Sequence, residues 1–161
     1  MGVTGVEKDV DALTMTVTAE YDVPVERAWL LFGDPRQLER WWGPPTYPAT
    51  VAQHDLRPGG RVSYYMTGPE GDRHHGWWEV LEVEPPRRLI VRDGFADESG
   101  IPNPDMPTMV MHMEIEDHGG GVRIVMTTTF GSLDQLEQLL AMGMEEGLLA
   151  AMSQIDGILA A

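Results

Sequence analysis

The sequence predicts an α+β domain in which an antiparallel β-sheet packs against a C-terminal helix. Seven segments show the two-residue alternation of apolar side chains that is typical of half-buried strands. Gly- and Pro-containing turns separate most of these segments by short connections, which favours antiparallel pairing. The final segment instead repeats apolar residues every three or four positions, as an amphipathic helix does. The predicted order of elements is βααββββββα, with seven strands.

The elements before the final helix follow from local signals. A first strand is predicted over 13–21, where apolar residues alternate with threonines. Pro24 suits the first turn of a helix over 25–32, and Asp34 suits the N-cap of a second helix that ends near Trp41. Six further strands are expected at 49–55, 61–67, 74–84, 88–95, 108–117 and 122–130.

One long helix is predicted from Ser132 towards the C-terminal end. Ser132 followed by Gln135 is a capping-box pattern, which marks the start of a helix. The predicted apolar stripe consists of Leu136, Leu140, Met144, Leu148, Ala151, Ile155 and Ile158. Gly143 and Gly147 each cost a helix about 1 kcal/mol relative to Ala. We therefore expect close approach to the sheet, or room for a bound molecule, at these glycines.

Length and charge narrow the classes of function. With 161 residues the chain has the size of one domain, and we expect a flexible segment over 1–11 and a single domain over 12–161. The net charge of −15 repels phosphate backbones and anionic lipid surfaces, so nucleic acid and membrane partners are not expected. The lack of cysteine fits a reducing compartment. We expect a cytoplasmic protein that is a monomer or a homodimer.

Methionines and aromatic residues dominate the side chains that are predicted to face the interior. Methionine is flexible and polarizable, so a Met-rich wall adapts to irregular apolar ligands, and large rings grip flat ones. The candidate ligand-binding residues are Trp41, Trp42, Tyr64, Met66, Trp78, Phe95, Met109, Met111, Met113, Met126, Leu140 and Met144. A packed core without a cavity would use the same residue types, and the sequence leaves both interpretations open.

Polar candidates are few. Glu79, Asp93 and Asp55 lie in or beside predicted strands, and a carboxylate that faces an apolar cavity can act as a general base. Tyr65 and His75 are further candidates to contact an oxygenated ligand. Neighbouring histidines in a strand point to opposite faces, so no metal site is expected. The chain has no nucleophile elbow, phosphate loop or dinucleotide fingerprint, and we assign no catalytic residue and no cofactor.

Five short motifs follow one another within residues 13–161. They are Asp34-Pro35 with Arg40-Trp41-Trp42-Gly43-Pro44, Asp55-Leu56-Arg57-Pro58-Gly59-Gly60-Arg61, Glu82-Val83-Glu84-Pro85-Pro86-Arg87-Arg88-Leu89, Gly119-Gly120-Gly121, and Gly143-Met144 with Gly147. Together they resemble the bacterial proteins similar to the activator of the heat-shock-protein-ninety ATPase, within the START-like, birch-allergen-like superfamily. The resemblance implies a helix-grip fold, in which a curved sheet wraps the C-terminal helix and leaves a cavity between them.

The resemblance and the Met-rich faces together predict a protein that binds a small hydrophobic or aromatic molecule in this cavity, rather than an enzyme. Two alternatives stay open. Related cavity folds include polyketide cyclases and aromatases, so an ionisable group inside the cavity would favour an enzyme. The third hypothesis is a chaperone-associated stress-response protein, although the eukaryotic activator has an N-terminal chaperone-binding domain with no counterpart in this sequence.

Overall fold

Eight strands form one antiparallel sheet in the computed structural model, which describes residues 2–160. The strands are β1 (Gly2–Asp9), β2 (Thr14–Tyr21), β3 (Ala49–His54), β4 (Arg61–Thr67), β5 (Arg73–Glu84), β6 (Arg88–Phe95), β7 (Met109–His118) and β8 (Gly121–Phe130). Their order across the sheet is β1-β2-β8-β7-β6-β5-β4-β3. β3 to β8 therefore form a meander of sequential neighbours, and β2 pairs with the last strand of that meander.

Five helices accompany the sheet within the described residues. They are α1 (Val25–Gly33), α2 (Pro35–Trp41), α3 (Leu133–Ala141), α4 (Met144–Met152) and α5 (Ile155–Leu159). The predicted N-caps are confirmed, because Asp34 accepts a hydrogen bond from the Arg36 amide at 2.9 Å and Ser132 accepts one from the Gln135 amide at 3.2 Å. α1 and α2 connect β2 to β3, which lies at the far edge of the sheet.

The α+β class with an antiparallel sheet is confirmed, but the expected seven strands are wrong by one. Residues 2–9, which belong to the segment expected to be flexible, form β1 and pair antiparallel with β2. The Lys8 ammonium also lies 2.6 Å from a carboxylate oxygen of Glu145 on α4. Met1 and Ala161 lie outside the described residues.

The single long C-terminal helix is also wrong, because the segment forms three short helices. Gly143 adopts a left-handed conformation, with φ of 86°, and separates α3 from α4. Such a φ is costly for residues with a side chain and is readily adopted by glycine. The apolar repeat continues across the break, which explains why the sequence pattern indicated one helix.

The core lies between one face of the sheet and the helices. Leu136 and Leu139 are buried on α3, and Ile155 and Ile158 are buried on α5. The C-terminal segment is therefore anchored at both of its ends. No helix within residues 2–160 is long and apolar enough to cross a membrane.

Candidate functional site

A cavity of about 410 Å³ lies between the sheet and the C-terminal segment. β4, β5, β6 and β7 form one wall, and α3, α4 and the Gly143 joint form the other. Residues that follow α2 complete the lining, including Pro44 and Tyr47. Most of the lining side chains are apolar, so the cavity suits an apolar or aromatic molecule.

Seven of the twelve candidate residues line this cavity. They are Trp42, Tyr64, Met66, Phe95, Met109, Met111 and Met144. Met109 and Met111 alternate along β7 with residues that are less buried, as the two-residue pattern predicts. The structure brings these side chains together around one space, and their contact with a ligand stays a prediction.

The other five candidates do not line the cavity. Trp41 and Trp78 are fully buried and pack edge-on against Trp42, with ring centroids 5.7 Å and 5.0 Å from the Trp42 ring. Met113 and Met126 lie opposite each other on β7 and β8, at positions that the core fills. Leu140 packs against the core, and the neighbouring Leu139 lines the cavity instead.

The C-terminal segment contributes several lining residues that are absent from the candidate set. They are Leu139, Met142, Gly143, Gly147 and Leu148. The sequence did draw attention to Gly147, because a glycine inside a helical pattern lowers helix stability and needs a structural reason. A Cβ atom added at Gly147 would meet no atom within 4 Å, so this position faces open space. Leu148 belongs to the predicted apolar stripe, whereas Leu139 and Met142 lie outside it. The stripe alone does not show which residues of this segment border a cavity.

The cavity wall contains a buried polar pair, Asp93 and Tyr64. The Tyr64 hydroxyl donates a hydrogen bond of 2.8 Å to Oδ1 of Asp93, and only 7% of Asp93 is exposed. Burial raises the pKa of Asp93 from its usual value near 3.8 to about 7, and the hydrogen bond from Tyr64 partly opposes this increase. Burial, followed by the nearby Asp93, raises the pKa of Tyr64 well above its usual value.

A glycine on β5 makes room for this pair. Gly76 lies directly opposite Tyr64 in the pairing of β4 with β5, and opposite Phe95 in the pairing of β5 with β6. A Cβ atom at residue 76 would collide with the Tyr64 ring and hydroxyl. Because residue 76 has no side chain, the Tyr64 ring can cross β5 and reach Asp93 on β6.

Of the remaining polar candidates, only His75 borders the cavity within the described residues. Glu79 pairs with Arg92 at 2.9 Å and Asp55 pairs with Arg57 at 2.8 Å, and neither carboxylate lines the cavity. His75 borders the cavity, as does the neighbouring His74. The Tyr65 ring lies outside the lining, 5.4 Å from the His75 ring. Within residues 2–160, no cluster of three or more His, Asp or Glu side chains is arranged to hold a metal ion.

Comparison with known protein families identifies the family to which the chain belongs. The family model for activator of Hsp90 ATPase homolog 1-like proteins matches residues 22–160. The chain belongs to this family. The match includes every strand and helix that contributes to the cavity.

Several solved structures have the same fold as this chain over nearly its whole length. Protein Ms6760 from Mycobacterium smegmatis is 49% identical, with a TM-score of 0.89 over 97% of this chain and 96% of that chain. A protein from Arthrobacter aurescens is 44% identical, with a TM-score of 0.94 over 98% and 92% of the two chains. A protein from Staphylococcus epidermidis, 23% identical, shares the fold with a TM-score of 0.84 over 98% and 94%. A comparison with curated proteins finds no match.

Proposed function

We propose that this protein binds a small, mainly apolar or aromatic molecule in the cavity between the sheet and the C-terminal helices. The observation that carries the proposal is the cavity itself, whose volume of about 410 Å³ is typical of small-molecule sites, which span ~300–1,000 Å³. Five methionines line it: Met66, Met109, Met111, Met142 and Met144. Their flexible side chains adapt to the shape of an apolar guest.

The glycine on α4 gives independent support. Gly147 lowers the helix stability by about 1 kcal/mol relative to Ala, although an added Cβ atom would meet no neighbour. Packing against the protein itself therefore does not require glycine at this position. A guest molecule that lies against α4 supplies a reason for it.

The test is to place a larger side chain at residue 147, where it would occupy part of the cavity. Naphthylmethanol, a neutral two-ring molecule, is titrated calorimetrically into the protein and into the variant Gly147→Leu. We expect the leucine side chain to occupy the guest's space and to weaken binding at least ~10-fold, a loss of about 1.4 kcal/mol.

Gly157→Leu is the matched control. Gly157 also lies in a C-terminal helix, is exposed, and has no neighbour within 4 Å of an added Cβ atom, but it does not line the cavity. We expect this variant to bind naphthylmethanol as the parent protein does. An absence of binding to the parent, or equal losses in the two variants, would contradict the proposal.

A cyclase- or aromatase-like enzyme is the second candidate, and the Asp93–Tyr64 pair favours it. A carboxyl group with a pKa of about 7 exchanges protons readily near neutral pH, as a general acid or base must. This candidate predicts that the protein cyclises a flexible polyketone chain, and that Asp93→Asn abolishes turnover while naphthylmethanol still binds. The cavity has no bearing on the chaperone-associated hypothesis, which stays a prediction.

A further inference from the structure

Within residues 2–160, the carboxylate of Asp93 is buried without a positively charged partner. Its hydrogen-bond donors among these residues are the hydroxyl of Tyr64 and the backbone amide of Gly94, and both donors are neutral. In the same part of the chain, no Lys, Arg or His nitrogen lies within the 4.0 Å limit of an ion pair with it. Burial of a carboxylate is costly unless a charge or several donors compensate it. The cavity wall thus presents a carboxylate whose negative charge is not compensated by a cation within the described residues.

Aromatic rings lie around the same space. Trp42, Tyr47, Tyr64 and Phe95 all line the cavity, and the rings of Trp42 and Tyr64 meet edge-on with centroids 5.8 Å apart. The electron-rich faces of such rings attract ammonium groups, most strongly where water is excluded. A buried carboxylate beside several aromatic rings therefore provides two favourable contacts for one cation.

The charges in and around the cavity also favour a cationic ligand over an anionic one. Among the residues that the structure describes, the cavity lining contains no Lys or Arg, so an anionic guest would find no permanent positive charge there. His74, which also lines the cavity, is held 2.6 Å from the carboxylate of Asp72. The net charge of −15 raises the concentration of cations near the molecule and lowers that of anions.

We infer that the molecule held in this cavity is an amine, whose apolar body lies against the methionine wall and whose ammonium group binds the carboxylate of Asp93 and the rings beside it. The inference rests on the proposed function, because it specifies the polar end of the same guest. Asp93 is then the residue that determines specificity, and Tyr64 holds the carboxylate in position.

Three probes with the same ring system separate the charge of the guest from its apolar body. Naphthylmethylamine, naphthylmethanol and naphthoic acid are titrated into the protein at about pH 8, where Asp93 is mostly ionised and the amine is still mostly charged. Salt at about 0.15 M limits the general attraction of cations, since the Debye length is then ~8 Å. We expect the amine to bind at least ~10-fold more tightly than the alcohol, and the acid to bind most weakly.

The variant Asp93→Asn tests whether Asp93 causes the preference for the amine. The amide oxygen still accepts the Tyr64 hydroxyl, so we expect the variant to fold, to bind the alcohol as before and to lose the preference for the amine. Asp11→Asn is the matched control, because it removes the same formal charge from an exposed position outside the cavity. This control should keep the preference.

A second measurement needs no variant. The side-chain carboxyl carbon resonance of Asp93 should shift on addition of the amine and stay in place on addition of the alcohol. Equal affinities of amine and alcohol, tightest binding of the acid, or a preference that survives in Asp93→Asn would overturn the inference while leaving the proposed function in place. A failure of all three probes to bind would overturn both.

Discussion

Asp93 occupies a position on β6 that alternation assigns to the core. Leu89 and Val91 precede it on the same face, and both are fully buried. The sequence predicted only that Asp93 lies in or beside a strand, and the structure shows that its side chain borders the cavity. Burial raises its pKa to about 7, and this has a measurable consequence for the stability of the fold.

Asp93→Asn is expected to stabilise the folded protein at neutral and higher pH. Well below its usual pKa of 3.8 the carboxyl is protonated in both the folded and the unfolded chain, and it contributes no pH dependence. As the pH rises towards 7, only the unfolded chain releases the proton, so the parent protein loses stability by up to roughly 4 kcal/mol. The asparagine variant avoids this loss.

Urea unfolding of the parent and the variant between about pH 4 and pH 8 measures the effect. The free energy of unfolding of Asp93→Asn minus that of the parent should increase with pH and level off above the folded-state pKa. The difference between Asp11→Asn and the parent should show no such increase over the same range. A flat difference for Asp93→Asn would show that the carboxyl is not shifted as described.

At the scale of elements, two glycines in the C-terminal segment have opposite roles. Gly143 holds the left-handed φ of 86° that ends α3, whereas Gly147 lies inside α4 and faces open space. Substitution by alanine should therefore change stability in opposite directions. Gly143→Ala should destabilise the protein by about 1 kcal/mol, since alanine resists a left-handed conformation. Gly147→Ala should stabilise it by up to about 1 kcal/mol through helix propensity.

Chemical denaturation of the two variants checks this prediction. Gly157→Ala in α5 is the control for helix propensity alone, because an added Cβ atom there also meets no neighbour. We expect Gly157→Ala to resemble Gly147→Ala in sign. A stabilised Gly143→Ala variant would show that residues 133–152 form a continuous helix in solution.

The elements that the sequence predicted well are those with strong local signals. The predicted strands over 61–67 and 88–95 coincide with β4 and β6, because alternation and bounding turns determine both ends. β1 was missed since its eight residues contain two glycines and a mixed, largely exposed pattern. Its position depends on hydrogen bonds to the edge of β2, and a local pattern does not encode that pairing.

The cavity residues were likewise predicted only as far as a local pattern determines them. Alternation places Met109, Met111 and Met113 on one face of β7, and all three are indeed buried. Only the first two reach the cavity, because Met113 lies further along the strand, where it faces the packed core. A period of two residues determines the face of a sheet, but the position of a cavity along the strand depends on the helices that cover it.

At the scale of the whole molecule, the excess of acidic residues is the dominant electrostatic feature. A net charge of −15 opposes the compact state through self-repulsion, and salt screens that repulsion. We expect the midpoint of thermal unfolding to rise by several degrees as the salt concentration increases from about 0.01 M to 0.15 M, equivalent to about 1 kcal/mol.

Differential scanning calorimetry in sodium chloride measures this change. Sucrose, which stabilises without screening charge, is the control that separates electrostatic screening from general exclusion effects. An unfolding midpoint that falls or stays constant with added salt would mean that local ion pairs, such as Arg88 with Glu84 and Glu114, outweigh the repulsion.

The interruptions between α3, α4 and α5 separate the residues that anchor the C-terminal segment from those that line the cavity. Ile155 and Ile158 hold α5 in the core, while Met144, Gly147 and Leu148 on α4 face the cavity. In a continuous rod, any change in the facing residues would alter the tilt of the whole rod. Because α4 is separated from α3 at Gly143 and from α5 at Ser153 and Gln154, the volume and shape of the cavity can be altered by substitutions on α4 alone. One scaffold can therefore accommodate guests of different size.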